Sequence, residues 1–168
     1  MKGPSVQRSP LAQIVGLIAW LAIVFAVAAV GAVASVDAGA FYAQLVRPDW
    51  APPASAFGPV WSVLYLLMGL AAWLVWRNQG AKRLRLALVL FFCQLCANAL
   101  WSWLFFGWRN GALAFADVLV LLALIAATLV VFWRISRLAG MLLVPYLAWV
   151  TLATALTWAV WQRNPAAL

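Results

Sequence analysis

Residues Leu11 to Val36 read LAQIVGLIAWLAIVFAVAAVGAVASV, a stretch without a charged side chain. A helix needs about 20 predominantly apolar residues to cross the hydrocarbon core of a bilayer. Lys2 and Arg8 before the stretch, and the Ala-Val-Ala at 32–34, resemble a secretory signal peptide. The apolar core of such a peptide is only about 7–15 residues long. The length therefore favours a transmembrane helix over a cleaved signal.

Four further apolar segments follow the first one, and short polar turns separate them. The five segments are 11–36, 57–76, 86–106, 112–133 and 141–161. The longest connection runs from Asp37 to Ala56 and contains Pro48, Pro52 and Pro53. We expect one all-α integral membrane domain over residues 1–168, a bundle of five transmembrane helices with a lid-like first loop.

The composition agrees with a membrane protein and excludes several other classes. Of the 168 residues, 68% are hydrophobic and 8% are charged. A soluble domain has about 25% charged residues, and a disordered chain has low hydrophobicity. The chain has no histidine and two cysteines. Common zinc and haem-iron sites need histidine or several thiolates, so we expect no metal site and no required cofactor.

The net charge of +8 reflects membrane topology. In a five-helix protein, the amino terminus shares one side of the membrane with the second and fourth loops. That side has the basic residues Lys2, Arg8, Arg77, Lys82, Arg83, Arg85, Arg134 and Arg137, and the other side has Arg47, Arg109 and Arg163. Because basic loops stay in the cytoplasm, we expect a cytoplasmic amino terminus. The basic residues then act as topology signals beside the headgroups of the lipid bilayer, and nucleic acid is not an expected partner.

Large aromatic and polar side chains recur on one face of the second and third segments. Phe57, Trp61 and Tyr65 are spaced i, i+4, i+8, and Gln94, Asn98 and Trp101 are spaced i, i+4, i+7. Residues at these spacings share a helix face. The amides either hydrogen-bond neighbouring helices or line a cavity for a large planar apolar ligand. If the amides line a cavity, we expect Trp149 and Ala153 of the fifth segment at the floor of that cavity.

Asp117, Cys93 and Cys96 also stand inside apolar segments. An intramembrane acid is a functional hypothesis by default, but a structural hydrogen bond explains Asp117 equally well. A redox C-x-x-C needs access and a helix amino terminus. We therefore expect the two cysteines to be small packing residues.

The loop and helix motifs resemble those of the translocator protein family, also called the TspO/MBR, tryptophan-rich sensory protein or peripheral benzodiazepine receptor family. The resemblance extends from Phe41 to Asn164. It is carried by F-Y-A-Q-L-V-R-P-D-W-A-P-P at 41–53, G-P-V-W-x-x-L-Y-x-x-M-G at 58–69, Gln94-Leu95 with Asn98 and Trp101, F-F-G at 105–107, Asp117, P-Y-L-A-W at 145–149, Ala153-Thr154 and W-x-x-N at 161–164.

The resemblance implies a homodimeric multi-pass protein of the bacterial cell membrane that binds porphyrin or haem. It also implies binding of benzodiazepine-site ligands in the same cavity. Sterol is a less expected ligand, because Trp158 stands where animal members have the tyrosine of a cholesterol motif. Small residues that could form a dimer contact are Cys93 and Ala97 of the third segment, or Ala22, Ala26 and Ala29 of the first. The resemblance favours the third segment. The implied ligand-binding residues are Trp50, Phe57, Trp61, Tyr65, Gln94, Asn98, Trp101, Trp149, Ala153 and Trp158.

Two functions of different classes follow from this resemblance. The first is a membrane tetrapyrrole-binding protein that acts as a sensor, carrier or regulator of porphyrin levels. The second is an enzyme that degrades porphyrin with light and oxygen, with Trp61 and Trp149 as its catalytic residues. The sequence has no acid–base machinery and no cofactor motif, which favours binding. A scaffold that packs lipid and binds no ligand is the third alternative.

Overall fold

The computed structural model describes residues 9–78 and 83–168, and the regular structure in these ranges is entirely helical. The helices are α1 Pro10–Ala34, α2 Ala38–Gln44, α3 Ala54–Trp76, α4 Leu84–Ser102, α5 Gly111–Ile135 and α6 Arg137–Arg163. A π-helical turn, Trp103–Gly107, extends α4. All but α2 are long and apolar enough to cross a membrane. The five predicted membrane helices are therefore confirmed, and the chain is a multi-pass membrane protein.

Side-chain caps mark the starts of three membrane helices. Ser9 Oγ accepts a hydrogen bond from the amide of Ala12, Asn110 Oδ1 from Leu113, and Ser136 Oγ from Ala139. Such caps satisfy backbone amides that have no partner within the first turn. Pro59 and Pro145 lie inside α3 and α6, and both helices continue through them.

The helices pack as a bundle in which α5 contacts α4 and α6, while α1 contacts α3 and α4. We call the end of the bundle near α2 the α2 end, and the other the opposite end. Toward the opposite end α1 and α3 approach closely, because Gly69 has no side chain. A Cβ built there would lie 2.7 Å from Leu21 Cδ2 and 3.1 Å from Val24 Cγ2. Trp73 Nε1 also donates to Gln13 O at 3.0 Å.

The structure changes two expectations about α4. Cys93 and Cys96 are exposed, so they do not pack within this chain. Ala97 is 9% exposed and belongs to the hydrophobic core, so of the two residues expected at a dimer contact only Cys93 faces outward, and the contact itself stays a prediction. The reason is the rotation of α4, which turns Gln94, Ala97 and Asn98 inward and leaves the two cysteines outside.

Candidate ligand cavity

A cavity of about 530 Å³ lies toward the α2 end of the bundle. Its walls come from α1, α3, the end of α4 and its π-helical turn, and α2 borders it from the first loop. The lining residues are Phe25, Ala28, Ala29, Gly31, Ala32, Ser35, Ala38, Gly39, Tyr42, Ala54, Phe57, Gly58, Trp61, Ser62, Tyr65, Asn98, Trp101, Ser102 and Phe106. The walls are therefore mainly aromatic rings and small apolar side chains, a composition suited to an apolar ligand.

The aromatic face predicted on the second hydrophobic segment lines this cavity. Phe57, Trp61 and Tyr65 all contribute to the wall, and the ring centroids of Trp61 and Tyr65 are 5.8 Å apart. Trp101 faces the cavity from α4 and stacks on Phe105 at 5.3 Å. Rings at these distances make favourable aromatic contacts with one another, and their flat faces can stack on a ligand.

Asn98 is the polar centre of the cavity floor. Its Oδ1 accepts a hydrogen bond from the Tyr65 hydroxyl, and its Nδ2 donates to Tyr146 Oη at 3.1 Å. Asn98 thus joins α4 to α3 and α6, and it also lines the cavity. Asn98 therefore fits both interpretations of the amide pair, since it hydrogen-bonds neighbouring helices and also lines a cavity. Gln94 is 1% exposed and lies outside the lining, and its Nε2 is 3.8 Å from Met68 Sδ, so its role in binding stays a prediction.

Four other implied ligand-binding residues lie outside the lining of the cavity. Trp149 stands behind the wall, with its ring 5.9 Å from that of Phe57. Ala153 is partly buried and does not form the floor. Trp50 and Trp158 are 51% and 47% exposed. The structure therefore brings together Phe57, Trp61, Tyr65, Asn98 and Trp101 and leaves these four apart, so their role in binding stays a prediction.

The wall from α1 was missed in the sequence. It consists of Phe25 and small residues such as Ala28 and Gly31, which do not stand out in a segment that is apolar all round. Tyr42 was missed as well, although it lies within the loop motif. A row of small residues at helical spacing, Ala28, Gly31 and Ser35, was the available signal.

The buried Oδ2 of Asp117 has no hydrogen-bond partner within residues 9–78 and 83–168. The expected structural hydrogen bond is therefore not seen at this oxygen. Three more buried polar atoms in the described ranges share this property: Gln94 Oε1, Trp101 Nε1 and Trp149 Nε1. Buried polar groups without partners are rare in proteins.

The first loop is held together at Tyr42. Its hydroxyl donates to Pro52 O at 3.0 Å, and the Arg47 guanidinium lies over its ring, 4.8 Å from the centroid. Burial raises the pKa of Tyr42, while the interaction with Arg47 lowers it in part. The hydroxyl therefore keeps its proton at neutral pH and remains a donor. This bond closes the loop on itself above the cavity.

Asn164 fastens the same loop to the end of α6. Its Oδ1 accepts from the Val46 amide at 2.8 Å, and its Nδ2 donates to Val46 O at 3.0 Å. Nδ2 also bonds Val160 O one turn back at 2.7 Å. The paired bonds resemble those between neighbouring strands and explain the Asn of the W-x-x-N motif. We call this contact the Asn164 latch.

Removing the latch should loosen the loop without unfolding the bundle. In Asn164→Ala the Val46 amide loses its acceptor, and each lost hydrogen bond is worth about 0.5–1.5 kcal/mol. We expect amide hydrogen exchange around Val46 to accelerate about tenfold. The matched control is Asn78→Ala, whose Nδ2 makes the same kind of bond, to Leu74 O at 2.7 Å, at the opposite end. Unchanged protection at Val46 in Asn164→Ala would show that the amide does not hold the loop.

The five-span bundle and its aromatic cavity define the class of this protein, a multi-pass membrane protein with an internal cavity. The TspO/MBR family model matches residues 17–162. The chain is 40% identical to the translocator protein of Homo sapiens over 126 residues, which covers 74% of this chain and 75% of that protein.

Bacterial relatives match to a similar extent. The tryptophan-rich protein TspO of Chlorobaculum tepidum is 38% identical over 126 residues, 74% of this chain and 80% of that protein. Protein CrtK of Rhodobacter capsulatus is 38% identical over 131 residues, 76% of this chain and 80% of that protein. The chain belongs to the TspO/MBR family.

Proposed function

We propose that this protein binds a tetrapyrrole, protoporphyrin or haem, in its cavity and acts as a sensor, carrier or regulator of porphyrin levels. The observation that carries the proposal is the cavity itself. Its volume of about 530 Å³ falls within the usual range for small-molecule sites, about 300–1,000 Å³. Several aromatic rings surround it. Membership of the family and the relatives' names, translocator and sensory protein, support a role in binding or transfer.

The chemistry of the walls favours stacking over iron ligation. The chain has no histidine, and the Tyr42 and Tyr65 hydroxyls both donate within the protein. A planar macrocycle would contact Trp61 and Trp101 through its faces. Protoporphyrin without iron should therefore bind about as tightly as haem.

The test is a titration of the purified protein in lipid nanodiscs, in which quenching of tryptophan fluorescence reports binding. Protoporphyrin, haem and a sterol are compared, and a benzodiazepine-site ligand is added as a competitor. We expect saturable one-to-one binding of both tetrapyrroles with dissociation constants within about tenfold of each other. We also expect competition by the benzodiazepine-site ligand and none by the sterol. The absence of saturable quenching would refute the proposal and favour a lipid-packing scaffold.

The alternative, light-dependent degradation, needs Trp61 and Trp149 to act together. Trp61 lines the cavity, whereas Trp149 lies behind Phe57. This separation favours binding without breakdown. Illumination in air should leave bound porphyrin largely intact. Breakdown products that disappear in both Trp61→Phe and Trp149→Phe would instead establish the enzyme.

The setting of the protein is also proposed. We infer a bacterial cell membrane with the amino terminus in the cytoplasm. Five arginines lie at the opposite end of the bundle, Arg77, Arg83, Arg85, Arg134 and Arg137, and three at the α2 end, Arg47, Arg109 and Arg163. Lys2, Arg8 and Lys82 belong to the same argument but lie outside the described residues. The proposed homodimer, if α4 mediates it, would use the outward face with Cys93 and Cys96.

A further inference from the structure

One side of the cavity faces away from the bundle, between α1 and α3. Several residues line the cavity and are also exposed, whereas Tyr65 and Asn98 at the floor are 7% and 3% exposed. We call the gap that these residues border the side opening. They are Phe25, Ala29 and Ala32 on α1, and Ala54, Gly58 and Ser62 on α3.

The side opening follows from unequal packing of α1 against α3. Toward the opposite end, Gly69 brings the two helices into close contact at Leu21 and Val24. Toward the α2 end, small side chains border the gap and do not fill it. No described atom outside its own chain neighbours and helix backbone lies within 4 Å of a Cβ built on Gly58. Both helices are membrane spans, so the side opening faces lipid.

The route through the first loop is more restricted. The Tyr42 hydroxyl ties the loop to itself through Pro52 O, and the Asn164 latch ties it to α6. A ligand that passes between the loop and the end of α6 must break the bonds of the Asn164 latch. Within residues 9–78 and 83–168, the hydrogen bond between α1 and α3, from Trp73 to Gln13, lies at the opposite end, and the hydroxyls of Ser35 and Ser62 bond carbonyls of their own helices. A ligand that passes through the side opening leaves these bonds intact.

Phe25 stands at the inner edge of the side opening. It is 43% exposed, and its ring centroid is 6.4 Å from that of the buried Tyr65. The Phe25 ring therefore lies beside Tyr65 at the floor of the cavity on one side and is exposed toward lipid on the other. An exposed aromatic side chain changes rotamer on the picosecond to nanosecond scale. Phe25 can thus swing without any movement of a helix.

We propose that an apolar planar ligand dissolved in the bilayer reaches the cavity sideways, through the side opening, and that Phe25 is the gate. This inference rests on the proposed function, because it concerns the path of the ligand that the cavity binds. The substrate class is then a membrane-partitioned macrocycle. The lipid phase supplies it, and water does not.

The experiment measures exchange rates in lipid vesicles by stopped flow. Wild-type protein is mixed with protein-free vesicles that contain protoporphyrin for association, and with empty acceptor vesicles for dissociation. Gly58→Leu adds a side chain to open space in a helix and should slow association and dissociation together by about fivefold or more. Phe25→Ala should accelerate both.

Matched controls separate the gate from a general effect on the lipid-facing surface. Phe92→Ala removes a ring that is 42% exposed and lies 5.8 Å from Trp20, so it resembles Phe25→Ala away from the cavity. Val63→Leu enlarges an exposed α3 side chain that does not line the cavity. Both controls should exchange ligand at the wild-type rates.

The outcomes distinguish this inference from the proposed function. If Asn164→Ala accelerates exchange while Gly58→Leu and Phe25→Ala do not change it, the ligand passes the loop and the side route is wrong. If wild-type protein shows no saturable binding, the proposed function fails first. Saturable binding with rates that respond to Phe25 and Gly58, and not to the latch, supports both.

Discussion

Ala28→Trp should weaken protoporphyrin binding about hundredfold or more, which corresponds to about 2.8 kcal/mol. Ala28 lines the cavity on α1, between the exposed rim and the floor. An indole at this position occupies the space in which the macrocycle would lie. The thermal unfolding temperature should change little, because the new side chain fills a void and adds no charge. The measurement is the dissociation constant from tryptophan quenching, with thermal unfolding alongside it.

Ala26→Trp is the matched control for the filled cavity. Ala26 lies two residues earlier on α1, is exposed and does not line the cavity. It should bind protoporphyrin as the wild type does. Wild-type affinity in Ala28→Trp as well would place the ligand elsewhere on the protein and refute the assignment of this cavity.

Asn98→Leu should strongly destabilise the bundle core. It removes the acceptor of the Tyr65 hydroxyl and the donor to Tyr146 Oη. Each buried polar group left without a partner costs about 1–3 kcal/mol. We expect a loss of about 2–5 kcal/mol, and a fall in the unfolding temperature of roughly 10 °C.

Two comparisons make this result specific to the Asn98 hydrogen bonds. Thr128→Val alters another buried polar side chain, 1% exposed, whose hydroxyl bonds only Leu124 O of its own helix. It should cost about 1 kcal/mol or less. Adding Tyr146→Phe to Asn98→Leu removes one orphaned hydroxyl and should restore part of the stability. If Asn98→Leu unfolds at the wild-type temperature, these hydrogen bonds do not stabilise the bundle.

The membrane helices were predictable for two reasons. A segment in the bilayer must make its backbone hydrogen bonds internally, which favours a helix, and the thickness of the bilayer sets the length of that helix. Most bounds moved outward by a few residues, whereas α1 ends at Ala34 and not at Val36. α6 begins at Arg137, not at 141, since Ser136 caps it ahead of the apolar run. The short helix α2 was not predicted, because Ala38–Gln44 is too short to show a helical period.

The candidate site was predictable where large or polar side chains repeat on a face, as at Trp61, Tyr65 and Asn98. The contribution of α1 was not, since every face of that helix is apolar. The placement of Trp149 and Ala153 at the floor depended on depth in the membrane. Depth follows from the rise per residue. The rotation of α6 about its axis depends instead on packing against α3 and α5, and residue spacing alone does not predict that rotation.

The unequal packing of α1 and α3 has a thermodynamic consequence for affinity. With the side route proposed above, acyl chains of the bilayer should enter the cavity when no ligand is bound. Binding is then an exchange in which a ligand replaces lipid chains. The free energy of binding is then the difference between the ligand's interactions in the cavity and its interactions in the bilayer. Transfer of the ligand out of water does not contribute to it. The relevant ligand concentration is the mole fraction in the bilayer, so the same protein would show different aqueous dissociation constants at different lipid-to-protein ratios.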